Sequence, residues 1–255
     1  MKPQILIRAD DLGYSRGVNY GIADCVWNGV LRNAGLMPNM PAAPQALELL
    51  RGSGVCLGQH TNVCLGRPVT DPSRIPSLVD ENGQFKNSHT YREAWKRGEE
   101  FAVLEEMVLE VEAQYQLFVT LVGQEPAYFE GHAVASKVLF KALEIVAKKY
   151  KLPIIQGLLV RNPLQFRNTK LYLICESSRQ DYDPFESLQK AVLEQREDGS
   201  IPMFVCHPGY LDQDLLSNSS LTLPRVKEAA MLTDPDTARW LREHAEPFLT
   251  YADLC

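Results

Sequence analysis

Two adjacent aspartates and three histidines stand at the ends of short apolar segments, where parallel α/β folds build their sites. Asp10 and Asp11 follow the first such segment, and His60, His132 and His207 end or follow later ones. The segments predict strands, and the carboxyl ends of parallel strands meet at one face. Side chains about 200 positions apart in the sequence can therefore meet around one ion.

These residue types make a complete hydrolytic set. One carboxylate and two imidazoles suit a divalent ion that keeps positions open for water and substrate. A second carboxylate could take a proton from water that the ion has made acidic. A further histidine could protonate the departing group. The pattern predicts a metal-dependent hydrolase.

Each of these residues also has a structural interpretation. An aspartate after a strand is commonly a helix N-cap. A histidine at a strand end is a structural hydrogen-bonding residue about half the time. Two adjacent aspartates are harder to explain as caps, because one suffices and their repulsion must be offset by a cation or donors. The other two histidines, His89 and His244, fit the structural or exposed class.

The elements that must position these side chains alternate between short apolar and amphipathic segments, which is typical of an α/β fold. We predict one domain over residues 1–255, a distorted (β/α) barrel with seven to eight mostly parallel strands. A doubly wound open sheet is the alternative. A polar loop over 65–91 would cover the site, with Tyr91 and Trp95 as candidate stacking surfaces. Strands are predicted at 4–9, 34–37, 54–59, 127–130, 153–156, 171–174 and 202–206, with one more near Phe248.

Composition narrows the classes of partner. The formal net charge is -6 and no basic cluster offsets it, which argues against a nucleic-acid partner. No apolar stretch is long enough for a membrane span or a secretory signal, so a cytoplasmic location is expected. The six cysteines form no CxxC pair and predict buried thiols in a reducing compartment rather than disulfides or a zinc ribbon.

Five motifs, in order, resemble the YdjC-like family, which includes a chitooligosaccharide deacetylase. The resemblance spans nearly the whole chain, and five ordered motifs are far more specific than one. The matching stretches are Ala9-Asp10-Asp11-Leu12-Gly13 with Ser15-Arg16-Gly17-Val18-Asn19; Gly58-Gln59-His60-Thr61-Asn62-Val63; Arg67-Pro68-Val69 with Pro76-Ser77-Leu78-Val79-Asp80, Gly83 and Phe85; Cys206-His207-Pro208-Gly209-Tyr210 with Asp212; and Ser219-Ser220 with Arg225.

The resemblance implies an enzyme that removes an N-acetyl group from an amino sugar with a divalent metal ion, Mg or Zn being favoured. Carried over by position, Asp11, His60 and His132 would hold the ion. Asp10 would be the general base and His207 the general acid.

The resemblance also implies a small carbohydrate substrate, with Asn62, Glu130 and Tyr210 lining its site. A homo-oligomer is compatible with it. The stretch Glu130-Gly131-His132-Ala133-Val134-Ala135-Ser136 departs from the family's His-rich run, because Val134 and Ser136 replace histidines. Two alternatives follow: a catalytically impaired sugar-binding or regulatory protein, and a metal hydrolase of another amide or ester.

Overall fold

The computed structural model describes residues 2–155, 162–194, 196–245 and 248–254. The chain divides into two compact units. Unit 1 comprises Met1–Gly35, Pro41–Leu57 and Asn162–Cys255, and unit 2 comprises Leu36–Met40 and Gly58–Arg161. The single domain expected from the sequence stays a prediction.

The strands form a seven-stranded, mostly parallel sheet with flanking helices, so the predicted α/β class is confirmed. The strands are β1 (Leu6–Leu12), β2 (Asn33–Leu36), β3 (Cys56–Thr61), β4 (Phe129–Gly131), β5 (Leu164–Phe166), β6 (Thr169–Ile174) and β7 (Ile201–Cys206). The helices are α1 (Arg16–Trp27), α2 (Ala43–Leu49), α3 (Ser88–Lys96), α4 (Leu104–Val122), α5 (Lys137–Tyr150), α6 (Pro184–Leu193), α7 (Gln213–Asn218), α8 (Leu223–Thr233) and α9 (Pro235–His244).

In unit 1, β1 pairs in parallel with β7, and the register places Ala9 opposite Cys206. Every residue of β1 is buried, as expected for a central parallel strand covered on both faces. Asp10 and Asp11, which follow Ala9 in β1, therefore lie at the same edge of the sheet as His207, which follows Cys206. Beyond β7, β6 is parallel and β5 is antiparallel.

In unit 2, β3 pairs in parallel with β4, and His60 is the register partner of Glu130. Partners on adjacent strands project from the same face, so these side chains are brought together by the pairing alone. Gly58 lets the Tyr128 ring pack directly against the backbone of β3, because a Cβ at this position would lie 2.2 Å from that ring. Helices α4 and α5 bury their apolar faces in the core of this unit.

Six of the predicted strands are present, with ends that shift by a few residues. The predicted strand at 153–156 is reduced to one bridge between Ile154 and Phe129, and Gln156 lies outside the described residues. The strand expected near Phe248 is likewise a single bridge, to Ile5. The antiparallel β5, three residues long, was missed because so short a segment carries almost no periodicity.

The predicted loop over 65–91 is shorter than expected because α3 begins at Ser88. The side chain of Asn87 caps this helix by accepting the Thr90 N–H at 3.1 Å. None of the described helices is both long and apolar enough to span a bilayer. The thiols of Cys25, Cys64 and Cys206 are free and buried, as predicted. Cys56 is instead half-buried and Cys175 is exposed, and Cys255 lies outside the described residues.

Candidate active site

Asp10 lies near the end of β1 with its carboxylate held by a guanidinium. Arg8 approaches it with two nitrogens, at 2.7 and 2.8 Å, and both side chains are almost fully buried. The two residues are two positions apart in one strand, so they project from the same face. A bidentate ion pair of this kind fixes the carboxylate and compensates its charge.

Asp11 adopts a left-handed backbone conformation, with a φ of 73°. Its carbonyl accepts the Tyr14 N–H at 3.0 Å, which closes a turn directly after the strand. Its carboxylate lies 2.6 Å from the guanidinium of Arg225 on α8. A non-glycine residue in this region is uncommon and is found disproportionately at functional sites, where the surrounding structure offsets the strain.

His207 follows β7 and is held by residues that the sequence did not single out. Its backbone N–H donates to Glu228 at 2.7 Å, and its ring Nδ1 lies 3.3 Å from the hydroxyl of Ser177. That hydroxyl in turn donates to Glu228 at 2.6 Å. Burial raises the pKa of the Glu228 carboxyl, because the charged form loses its solvation.

His60, Glu130 and His132 form a buried hydrogen-bonded row in unit 2. Nδ1 of His60 lies 2.9 Å from Oε1 of Glu130, and Nε2 of His60 lies 3.0 Å from Nδ1 of His132. The backbone N–H of His132 donates to the carbonyl of Thr61 at 2.9 Å, which fixes the segment after β4. The structure thus brings the two predicted imidazole ligands together.

The geometry of this row fits a divalent ion. Two nitrogens that each lie about 2.1 Å from one ion, at about a right angle, are roughly 3.0 Å apart. Metal-ligating histidines also donate their other ring N–H to a carboxylate, which is the position of Glu130 relative to His60. Side chains able to hold a metal ion are present on both units: Asp10 and Asp11 on unit 1, and His60, Glu130 and His132 on unit 2.

The two residues that replace family histidines have structural roles in this chain. Val134 is fully buried in the apolar core of unit 2. Ser136 is the N-cap of α5: its hydroxyl accepts the Leu139 N–H at 3.1 Å and donates to Glu100 at 2.9 Å. Since both side chains are engaged elsewhere, the pairing of His60 with His132 does not depend on them.

The predicted substrate residue Asn62 is buried, and its side chain organises the turn after β3. The amide donates to the carbonyl of Leu65 at 2.7 Å, and its oxygen accepts the Cys64 N–H at 3.1 Å. The side-chain amide of Gln114 on α4 accepts the backbone N–H of Asn62 and donates to its carbonyl. Contact between Asn62 and a sugar stays a prediction.

Helix α4 also holds the polar loop that follows. The carboxylate of Glu110 is fully buried and accepts the N–H groups of Val69 and Thr70 at 3.0 and 2.9 Å. One turn earlier, Glu106 accepts the Ser77 N–H at 2.7 Å. Burial raises the pKa of Glu110. The loop is therefore fastened to the same helix that supports the end of β3.

Tyr210, three residues after His207, lines an exposed groove on unit 1 with a volume of about 470 Å³. Tyr20 and Trp27 of α1 line the same groove, and all three rings are at least 40% exposed. The hydroxyl of Tyr210 donates to Asp24, and this hydrogen bond raises the pKa of Tyr210 to about 12.

The two aromatic residues suggested as stacking surfaces differ in the structure. Tyr91 is buried in the core of unit 2, with its ring 4.8 Å from that of Phe101, so this suggestion was wrong. The amphipathic face of α3 explains it, because the helix turns Tyr91 inward. Trp95 is 43% exposed, and a stacking role there stays a prediction.

The contact of Arg8 with Asp10 could have been predicted from the sequence. The contacts that hold Asp11 and His207 could not. A charged residue in a fully buried strand needs a partner, and Arg8 stands two positions before Asp10. Glu228 lies in a segment with no signal linking it to the strand ends. Arg225 belongs to a matching motif and Ser177 follows the predicted strand at 171–174, but nothing in the sequence indicates which side chains they contact. Their place in the site depends on the tertiary packing of unit 1.

Comparison with known proteins identifies the family to which the chain is related. Residues 4–243 match the sequence profile described as YdjC-like protein. A carbohydrate deacetylase from Geobacillus stearothermophilus is 34% identical, with 98% of this chain and 97% of the relative covered. A carbohydrate deacetylase from Thermoanaerobacter pseudethanolicus is 29% identical, with 98% of each chain covered. These names agree with the prediction of an enzyme of the carbohydrate deacetylase class.

Solved structures support the fold. A crystal structure from Enterococcus faecalis, described as a cellobiose-phosphate cleavage protein, superposes over the full length of both chains with a TM-score of 0.82 and 24% identity. The Xyl-CE4 domain of a xylanase from the hindgut metagenome of Trinervitermes trinervoides gives a TM-score of 0.51 at 12% identity, covering 100% of this chain and 90% of that one. With a profile match across 4–243 and a relative at 34% identity, the chain belongs to the YdjC-like family.

Proposed function

We propose that this protein is a metal-dependent deacetylase that removes N-acetyl groups from amino sugars such as acetylated chito-oligosaccharides. The observation that carries the proposal is the buried row in which two imidazole nitrogens face each other at 3.0 Å, backed by Glu130. The names of the relatives supply the substrate class, since two of them are carbohydrate deacetylases.

In this proposal the ion is held by His60, His132 and Asp11. Both Mg and Zn can bind a set of imidazole and carboxylate ligands, and imidazole ligands favour Zn. Glu130 contacts Nδ1 of His60, and this position favours a role in orienting the His60 ring rather than in contacting the sugar. When bound, the ion supplies a Lewis acid for the acetamide carbonyl and lowers the pKa of water to near neutrality.

Asp10 and His207 carry the proton transfers. The carboxylate of Asp10, held in place by Arg8, accepts the proton of the attacking water. His207 donates a proton to the nitrogen of the breaking amide bond, so that the amino sugar leaves as the free amine and acetate is the other product. Tyr210, three residues after His207, is proposed to line the sugar site.

The alternatives make different predictions for one experiment. We would measure acetate release from N-acetylated chito-oligosaccharides before chelation, after chelation, and after adding back Mg or Zn. Release that is lost with the chelator and restored by the ion is the expected result.

A protein that binds ion and oligosaccharide without releasing acetate would instead be the catalytically impaired alternative. Hydrolysis of simple amides or esters without action on the oligosaccharide would point to the other hydrolase. Acetate release that resists chelation would contradict the metal dependence.

A further inference from the structure

We propose that Glu228, acting through Ser177, is the positioning residue that fixes the orientation and tautomer of the His207 ring. The inference rests on the proposed function, in which His207 is the proton donor. It extends that function to one residue on α8 and one in the segment after β6.

The contacts form a directional chain. The hydroxyl of Ser177 has one proton, and it is donated to Oε1 of Glu228 at 2.6 Å. The oxygen of Ser177 is then left as the acceptor towards Nδ1 of His207, 3.3 Å away. Nδ1 must therefore carry the hydrogen in this contact, because a hydroxyl that has already donated its proton can only accept.

Glu228 is suited to this task by its burial and by the number of its donors. The side chain is fully buried, and Oε1 also accepts the hydroxyl of Tyr182 at 2.8 Å. Its second oxygen accepts the backbone N–H of His207 at 2.7 Å, so one carboxylate holds both the main chain and the ring of the same histidine. Arg225, one turn earlier on α8, approaches the His207 carbonyl at 3.4 Å.

This chain of hydrogen bonds leaves Nε2 of His207 as the nitrogen that transfers the proton. A protonated His207 that gives up its Nε2 proton to the leaving amine is left as the neutral Nδ1–H tautomer. That tautomer keeps its hydrogen bond to Ser177, so the ring need not turn during the step. Removing the hydrogen-bond partner that orients a metal-ligating histidine commonly costs about 10- to 100-fold in activity or affinity, and we expect a loss of the same order when the partner of His207 is removed.

The test uses the full-length protein and two readouts. With ¹⁵N-labelled histidine, the ring nitrogen shifts of neutral His207, assigned by their loss in His207→Gln, report the tautomer without any need for activity. In parallel, kcat and KM for acetate release are measured. The variants are Ser177→Ala and Glu228→Gln. Ser187→Ala is the matched control, because Ser187 is also buried in unit 1 and its hydroxyl donates to a glutamate, Glu176.

We expect wild type and Ser187→Ala to show the Nδ1–H tautomer, and Ser177→Ala and Glu228→Gln to show a mixture or the Nε2–H form. In those two variants kcat should fall about 10- to 100-fold while KM changes little. An unchanged tautomer in Ser177→Ala, or an equal change in Ser187→Ala, would overturn the inference. If wild type released no acetate, the proposed function would fail, but the ring nitrogen shifts would still decide this question.

Discussion

The buried carboxylates at the end of β1 and the buried imidazoles at the ends of β3 and β4 are stabilised in opposite ways. Asp10 and Asp11 each contact a guanidinium, of Arg8 and Arg225, so their charge is compensated within unit 1 itself. His60 and His132 instead point ring nitrogens at each other, and the Glu130 carboxylate lies against Nδ1 of His60.

The difference teaches which part of the site should respond to a metal ion. A carboxylate that already has a guanidinium partner has its charge compensated and its position fixed whether or not an ion is present. Two ring nitrogens 3.0 Å apart can share only one hydrogen, and a divalent ion would use both lone pairs. We therefore expect unit 1 to be organised without metal, and the imidazole row to be the part that a metal ion stabilises.

The largest effect on activity should come from replacing the two aspartates one at a time. Asp10→Asn removes the proposed base and should lower kcat by about two to four powers of ten, with the ion retained. Asp11→Asn, the matched change at the next residue, should lose the ion. Acetate release and metal content, measured on both variants, test the division. Metal loss in Asp10→Asn with metal retained in Asp11→Asn would reverse the assigned roles.

The next effect concerns stability. Arg8→Met leaves the Asp10 carboxylate buried without its guanidinium, and breaking a buried pair in this way costs about 3–5 kcal/mol. Urea unfolding of the metal-free protein measures it. Arg239→Met is the control, because Arg239 pairs with Asp236 at the exposed surface, where a pair contributes about 0–1 kcal/mol. Equal losses in the two variants would show that the guanidinium of Arg8 does not stabilise the buried Asp10 carboxylate.

A smaller effect is expected at the carboxylate behind the imidazoles. Glu130→Gln keeps the size of the side chain but weakens its hold on Nδ1 of His60, and should raise the dissociation constant of the ion about 10- to 100-fold. Calorimetric titration with Zn or Mn would measure it. Glu112→Gln, in the same unit but at the surface beside Lys149, should leave the affinity unchanged. Unaltered affinity in Glu130→Gln would mean that the glutamate does not act through His60.

The smallest effect should appear in the pH dependence of stability. Because burial raises the pKa of Glu110, its carboxyl holds a proton more tightly in the folded protein than in the unfolded chain. The stability it contributes is therefore present at low pH and is lost as the pH rises through the raised folded pKa. Glu110→Gln should cost more free energy of unfolding near pH 4 than near pH 7, roughly the range that brackets a raised carboxyl pKa.

The control for this prediction is Glu106→Gln, the same change one turn earlier on α4. Glu106 also accepts a loop N–H but is only partly buried, so the comparison isolates the effect of burying the carboxyl. A Glu110→Gln penalty that grows as the pH rises would mean that the folded protein lowers the pKa of Glu110 instead of raising it.

The strand ends could be predicted from the sequence because β1, β3, β4 and β7 are short apolar runs that stop at polar residues. Their parallel pairing follows from the helices between them. The partner of each side chain could not be predicted in this way. Arg225 and Glu228 stand on α8 among other charged residues, where a solvated helix face is the ordinary expectation.

Burial was the second quantity that could not be predicted. Tyr91 and Trp95 lie on one helix of mixed polarity, and only packing decides that the first ring is enclosed and the second exposed. The same holds for Asn62, whose amide is taken up by the turn after β3. Short-range turn chemistry explains its position without any reference to a substrate.

The metal content of three variants, compared with wild type, tests most directly whether the paired imidazoles hold an ion. Purified protein dialysed against Zn or Mn would be assayed for bound ion after His60→Ala, His132→Ala and, as control, His89→Ala, whose imidazole is exposed on α3. We predict about one ion per chain in wild type and His89→Ala, and none in the other two. Full metal content in His60→Ala would contradict the claim that the paired imidazoles hold the ion.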